Sequence, residues 1–235
     1  MKEINIIDFG LMGKQISALF YLLGYEIGVY NKSKLNIYEF EKQIKLLQRK
    51  IDFSNFNAGK INIYQHIEDL KNSLTIESLN EDLNLKKEIM QILRDNNIVF
   101  SNSSSLSMDD LNCDFIHFFN TIYIKLIELC GSNLERFTPL KDLKKLGFHI
   151  ICSKGNRGAL ANLLLFNEIS SFFKIIEKYD YNFKECQTVY DLLYEKRNLL
   201  NIIDTIGIEL CNKICKNLKE YDENFYHPKI FKKAL

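Results

Sequence analysis

The chain contains no tryptophan and only two prolines in 235 residues. With the abundance of Asn, Lys and Ile, these absences read as a bias of composition and carry no functional message. Other absences exclude more. No stretch approaches the roughly 20 consecutive apolar residues that a helix needs to cross a bilayer, so no membrane span is expected. The chain opens directly on a strand-like segment at residues 2–7. No signal peptide is therefore expected, and the protein is expected in the cytoplasm. An excess of one charge is missing as well. The 31 basic and 30 acidic residues leave a net charge of +1, which argues against a nucleic-acid partner held by a broad basic surface. The six cysteines (Cys113, Cys130, Cys152, Cys186, Cys211 and Cys215) form no CxxC pair. They are expected as reduced, mostly buried thiols, with Cys211 and Cys215 on one helix face, and no metal is expected. There are no repeats and no low-complexity tracts. What remains is a globular balance of 46% apolar and 26% charged residues, in a chain long enough for one large domain or two modest ones.

The first thirty residues organise the rest. Residues 2–7 are apolar enough for a short buried strand, and Asp8-Phe9-Gly10-Leu11-Met12-Gly13 makes a turn. Residues 14–23 follow with Ile16, Leu19, Phe20 and Leu23 at helical spacing, and residues 25–30 read as a second strand. Strand, glycine turn, helix and strand in this order form the βαβ unit that binds dinucleotides. The turn, with Gly10, Leu11, Met12 and Gly13 at the helix start, is where the phosphates of a cofactor would sit, because backbone N–H groups there attract anions. Asn31 and Lys32, with Ser33 behind them, stand where the second strand would meet the adenosine ribose. An acid at that place favours NAD; a neutral residue beside a cation tolerates a 2′-phosphate, so the local chemistry leans toward NADP. A plain polar turn is the other reading of the same residues.

Beyond this unit strands and helices alternate. Helical periodicity runs over residues 37–51 and 83–94, with a short helix at 66–70; strand patterns fall at 61–64, 73–76 and 97–100, and 77–82 reads as a polar loop. Alternation of this kind implies a parallel, doubly wound sheet with its ligand site off the carboxyl ends of the strands. Two further apolar runs, 115–120 and 125–130, are each broken by one ionisable residue, His117 and Glu128. In strands, His117 shares a face with Phe115 and Phe119, and Glu128 with Leu126 and Cys130. A lone ionisable group on an apolar strand must find a partner or shift its pKa, and the economical solution is that the two meet. A carboxylate on one imidazole nitrogen leaves the other free as a base. The bland alternative is a satisfied core histidine and an edge glutamate. A last strand at 149–152 leads into a polar, glycine-containing hinge at 153–158. The chain is thus divided into a dinucleotide-binding part, 1–153, and a helical part, 154–235, with helices over 159–178, 183–194, 199–206 and 208–218. The first of these is apolar nearly all round, which predicts that it is buried or sits in a subunit interface; Phe172, Phe173, Ile176 and their neighbours exceed what one small helical domain covers, so a homodimer is expected.

Five segments, in this order, resemble the 3-hydroxyacyl-CoA dehydrogenase family in its short bacterial 3-hydroxybutyryl-CoA form: Gly10-Leu11-Met12-Gly13, residues 77–87 (ESLNEDLNLKK), 101–107 (SNSSSLS), 117–120 (HFFN) and 203–208 (IDTIGI). The resemblance implies a Rossmann-like α/β sheet followed by a smaller all-α domain. It implies an oxidoreductase that exchanges hydride between a nicotinamide cofactor and the 3-hydroxy or 3-keto carbon of a short-chain acyl-CoA. By the family's motifs His117 takes the hydroxyl proton, Glu128 orients the imidazole, and Ser104 and Asn162 hydrogen-bond the substrate oxygens. Glu81, Lys86 and Asn120 match positions that contact the cofactor. The chain also departs from the family. Asp8 stands where the first glycine of the turn belongs, Asn31 replaces the ribose-binding acid, Thr121 stands for the proline after HFFN, and Arg157-Gly158 for the Pro-Gly ahead of the second domain. Segments that contact the acyl-CoA are shortened. Two other readings therefore stay open: a non-catalytic relative that serves as a binding or scaffold protein, and a dehydrogenase of a 3-hydroxy acid without CoA.

Overall fold

The computed structural model describes residues 2–32, 36–93, 98–122, 124–154, 159–195 and 197–233. Ser33 and the Arg157-Gly158 pair lie outside the described residues. The chain divides into two compact units, Met1–Ala159 and Leu160–Leu235.

The first unit holds β1 (Glu3–Ile7), α1 (Leu11–Leu22), β2 (Glu26–Tyr30), α2 (Ile37–Gln48), β3 (Lys60–Tyr64), β4 (Leu74–Glu77), α3 (Leu83–Leu93), β5 (Ile98–Ser101), α4 (Met108–Leu111), β6 (Asp114–Phe118), β7 (Leu126–Cys130), α5 (Leu140–Lys145) and β8 (His149–Ser153). One eight-stranded sheet has the order β3-β2-β1-β4-β5-β6-β7-β8. Its strands run parallel from β3 to β6, β7 turns antiparallel to β6, and β8 runs parallel to β7. The expected doubly wound sheet is therefore present, and the two runs that each carry one ionisable residue are where its direction reverses.

Helices on both faces explain why the central strands read as continuous apolar runs. Ile4, Ile6 and Ile7 of β1 have no exposure at all. On the face of α1, α2 and α5, Phe20 packs edge-on against Phe118 at 6.1 Å, and Phe100 against Phe137 at 5.4 Å, the geometry that ring quadrupoles favour. On the other face Ile89 and Leu93 of α3 cluster with Ile7 of β1, and Leu106, Leu111, Phe115 and Cys130 form a cluster at α4.

The structure differs from the sequence reading at the short elements. The helix expected at 66–70 is a single 3-10 turn, Ile67–Asp69. Helices α4 and α5 were not expected, since four and six residues are too few to show a periodicity of 3.6. A local signal for α4 does exist in Ser107 and Asp110, which cap each other's backbone in a capping box. Glu77, expected in a loop, is the last residue of β4 and has no exposure.

The second unit consists of α6 (Leu160–Tyr179), α7 (Phe183–Leu193), α8 (Leu199–Ile206), α9 (Ile208–Tyr221) and α10 (Lys229–Lys233). Phe172 and Phe173 are buried in an aromatic cluster with Phe183, Tyr190 and Phe231. They are core of this unit, so α6 is not apolar to the outside all round. The apolar side chains left exposed are others, among them Leu164, Ile175, Val189, Leu192 and Leu193, with Leu192 80% exposed. Cys130, Cys211 and Cys215 are buried, Cys113 and Cys186 half-buried and Cys152 exposed, all as free thiols. Among the described residues no helix is long and apolar enough to cross a membrane.

Candidate active site

Four parallel strands, β1, β4, β5 and β6, end on the same side of the sheet, and the loops that leave them carry most of the residues singled out above. The first is the turn between β1 and α1. Asp8 takes a left-handed backbone conformation, φ +74°, a region that glycine enters freely and that Asp and Asn tolerate better than other residues. The turn is therefore made without its first glycine. The Asp8 carboxylate folds forward and accepts a hydrogen bond from the Gly10 N–H at 3.1 Å. Gly13 is indispensable for a different reason: a Cβ there would stand 2.2 Å from the Asp8 carbonyl oxygen. The missing side chain lets α1 sit directly on the end of β1. Helix α1 has no side-chain hydrogen bond at its N-cap and no acid in its first turn, so its N-terminal dipole is offered to an anion. Asn31 reaches back to the turn, its Oδ1 accepting from the Phe9 N–H at 3.0 Å, while Lys32 is exposed.

The second loop follows β4. Glu77 accepts three hydrogen bonds, from Leu79 N–H at 2.5 Å, Lys86 Nζ at 2.6 Å and Ser101 Oγ at 2.6 Å. Lys86 is equally buried, and its ammonium also donates to the Leu79 carbonyl at 3.0 Å. Burial pulls the Lys86 pKa down, and the charges of Glu77 and Glu81 more than offset it, leaving the group above its ordinary value. Glu81 lies at the serine loop that leaves β5. Its carboxylate accepts from Ser103 Oγ at 2.9 Å, Ser104 N–H at 2.9 Å, Ser105 N–H at 3.2 Å and Ser105 Oγ at 2.8 Å. Clamping Ser103 and Ser105 inward in this way leaves the side chain of Ser104, between them, only half-buried. Asn102 ties the same loop to β6, accepting from Phe118 N–H at 2.9 Å.

The third component is the β6–β7 ladder, where His117 stands directly opposite Glu128. Opposed residues in such a ladder have Cβ atoms about 5 Å apart on one face, so the imidazole and the carboxylate are neighbours. Both residues are buried, His117 at 5% exposure and Glu128 at 1%. Burial lowers the His117 pKa to about 4, against the opposing pull of the Glu128 and Glu81 charges, and the ring is neutral at pH 7. Phe119 covers it edge-on at 5.9 Å. Asn120, at φ +47°, follows the strand. Its Oδ1 is buried without a hydrogen-bond partner among the described residues, an acceptor whose desolvation is unrepaid.

Residues 3–135 match the family described as the NAD-binding domain of 3-hydroxyacyl-CoA dehydrogenase. The chain belongs to this family. A 3-hydroxybutyryl-CoA dehydrogenase of Clostridioides difficile is 27% identical over 157 residues, 56% of this chain and 55% of that protein; the match thus spans about half the length of the relative. Among solved structures, FadB2 of M. tuberculosis aligns with a TM-score of 0.83 at 18% identity over 100% of this chain and 93% of that one. The (S)-3-hydroxybutyryl-CoA dehydrogenase PaaH1 of Ralstonia eutropha aligns at 0.79 and 20% identity over 99% and 93%. These likenesses establish the Rossmann-like sheet with its helical continuation.

For this member of the 3-hydroxyacyl-CoA dehydrogenase family, the structure brings Ser104, Glu81 and Asn120, on loops, to the same end of the sheet as the strand residues His117 and Glu128, with Gly10–Gly13 and Asn31 at the β1–α1 turn. Lys86 lies behind them, enclosed by Glu77. Asn162 is a buried residue of α6 in the second unit. A nicotinamide dinucleotide fits the residues present: the uncapped α1 terminus and the close approach at Gly13 suit a pyrophosphate, and Asn120 Oδ1 is an unused acceptor. Sequence reasoning missed three participants. Glu77 holds Lys86 and is itself held by the Ser101 hydroxyl, and Ser153 of β8 donates to Glu128 Oε1 at 2.5 Å. A serine at the end of an apolar strand gives no signal of its own in a sequence.

Proposed function

We propose that the protein is an oxidoreductase that moves a hydride between NAD and the 3-carbon of a short-chain 3-hydroxyacyl-CoA. The observation that carries this reading is the buried His117–Glu128 pair at the end of β6, on the same side of the sheet as a glycine turn suited to a dinucleotide. When bound, the nicotinamide supplies the hydride acceptor or donor. His117, neutral at pH 7, takes the proton from the 3-hydroxyl as the alcohol is oxidised, and returns it in the reverse direction. Glu128 keeps the ring in one orientation and stabilises the imidazolium that forms. Ser104 donates to a substrate oxygen; for Asn162 the same role rests on the family's motif. Gly10, Leu11, Met12 and Gly13 hold the pyrophosphate, Asn31 and Lys32 the adenosine ribose, and Asn120 offers its amide oxygen to the cofactor. Glu81 and Lys86 act from behind, one shaping the serine loop and the other neutralising Glu77. Asn31 with Lys32 also admits NADP, so both nucleotides are tested. The exposed Leu164, Ile175, Val189, Leu192 and Leu193 of the second unit favour a homodimer through its helices.

The test is a titration with NADH and with NADPH, followed by reduction of a short-chain 3-ketoacyl-CoA. Binding of either nucleotide raises the melting temperature or quenches tyrosine fluorescence, and oxidation of the bound nucleotide follows addition of the thioester. If neither nucleotide binds at millimolar concentration, the dehydrogenase reading fails. The hydrogen bond from Gly10 N–H to the Asp8 carboxylate favours a second reading, a relative whose phosphate turn is filled by its own side chain and which serves as a binding protein.

A further inference from the structure

Strands β7 and β8 are parallel, with Glu128 opposite Ile151 and Cys130 opposite Ser153. Side chains in register point to the same face of a sheet, so Ser153 joins the face that already carries Glu128, Cys130 and His117. Ser153 Oγ donates to Glu128 Oε1 at 2.5 Å. Cys130 Sγ lies 2.8 Å from Ser153 Oγ and 3.8 Å from the same carboxylate oxygen. Burial, with the neighbouring Glu128 charge, pushes the Cys130 thiol up to about 11. It keeps its proton at pH 7 and can donate only as a thiol. The hydroxyl proton of Ser153 is spent on Glu128, so the thiol proton points at the serine oxygen. The result is a one-way series of donors across the two outer strands, thiol to hydroxyl to carboxylate, with the imidazole on the next strand.

We propose that Ser153 is a positioning residue for the His117–Glu128 pair, anchoring the carboxylate from the β8 side so that it stays aligned with the imidazole on β6. The proposal rests on the dehydrogenase reading above and deepens it. A buried carboxylate is stable only with donors, and a charge-assisted O–H···O⁻ bond is roughly twice as strong as a neutral one. Held by its outer oxygen, Glu128 cannot rotate away when His117 takes a proton, and the imidazolium meets a counter-charge already in place. Ser153 touches neither substrate nor cofactor in this scheme. Its effect travels through Glu128, and Cys130 reinforces it from further out.

The test compares Ser153→Ala and Ser153→Thr with the unmodified protein by two readouts. The first is an NMR titration of the His117 ring, which needs no substrate. His117 faces Glu128 from β7 and Glu81 from the loop before α3, and only the first of these is altered. Without this anchor the Glu128 side chain turns away from the ring, its pull on the imidazolium weakens with distance, and the His117 midpoint falls by about half a unit or more. The second readout is steady-state kinetics: Ser153→Ala lowers kcat by about ten-fold and changes KM for the thioester by less than about two-fold. Ser153→Thr keeps a hydroxyl on a β-branched residue suited to a strand and restores both values. An unchanged or raised His117 midpoint in Ser153→Ala overturns the proposal, as does a loss of kcat that Thr does not restore, which marks a packing effect. If the unmodified protein has no turnover at all, the dehydrogenase reading falls, and the His117 midpoint alone still decides whether Ser153 anchors the pair.

Discussion

Replacing Lys86 by Met separates a buried counter-ion from a cofactor ligand. Lys86 Nζ and Glu77 Oε1 are 2.6 Å apart, and neither side chain has any exposure. Removing one partner of such a pair leaves an uncompensated buried charge and costs about 3–5 kcal/mol. Glu77 keeps its bonds from Leu79 N–H and Ser101 Oγ, which places the expected loss near the lower end, about 3 kcal/mol. In a chain of this size that lowers Tm by about 6–12 °C. Adding Glu77→Gln removes the orphaned charge, and the double variant recovers a large part of the loss. Lys86 is held above its ordinary pKa of 10.5, burial pulling it down and Glu77 and Glu81 more than compensating. Its contribution is therefore complete below pH 10.5 and is lost as pH rises through the folded-state value. The gap between the unmodified protein and Lys86→Met should be constant from pH 7 to 9 and close only in strong alkali. Urea unfolding followed by tyrosine fluorescence measures it. A loss under about 1 kcal/mol, together with weakened nucleotide binding, would refute the buried-pair argument and make Lys86 a direct contact of the cofactor.

Four further outcomes are expected. His117→Gln lowers turnover by about 10²–10⁴-fold and leaves nucleotide affinity unchanged; an unaltered rate in stopped-flow assays removes His117 from the chemistry. Because burial depresses the same imidazole from 6.5 to about 4, the unfolded chain binds its proton first as pH falls. Stability contributed by neutral His117 is present above pH 6.5 and is lost between there and about pH 4; melting curves of His117→Gln should be flatter over that window. Asp8→Gly removes a negative charge from the phosphate turn and frees the Gly10 N–H, tightening nucleotide binding by about 2–5-fold; weaker binding in calorimetry would mean that the Asp8 carboxylate supports the turn instead. Gly13→Ala forces a methyl to within 2.2 Å of the Asp8 carbonyl oxygen, and the helix must lift off the strand at a cost of about 1–3 kcal/mol, read as a fall in the urea midpoint.

Much of the fold was legible because its signals are local. The β1–α1–β2 unit follows from a glycine turn between an apolar run and a helical repeat, and all eight strands follow from short apolar segments that recur between helices. The His117–Glu128 meeting was only half legible: two apolar runs, each with one ionisable residue, admit a partnered pair or a satisfied core histidine and an edge glutamate, and it is the β6–β7 register that sets the two opposite each other. Elements shorter than two turns, α4 and α5, have no periodicity to read. The inward placement of Phe172 and Phe173 was not legible either, since an apolar residue on a helix says that it will be covered and not by what.

The motifs, the alternation of strands and helices and the residue types at the site can be read along the chain. What each polar group touches follows from the folded arrangement. Glu81 clamps Ser103 and Ser105 across about two dozen residues of chain, Lys86 is sealed against Glu77, and Ser153 reaches Glu128 from the neighbouring strand. Those partnerships depend on strand order and register. A periodic pattern tells which face a side chain occupies; which strand comes to lie beside it is set by how the whole sheet closes its core.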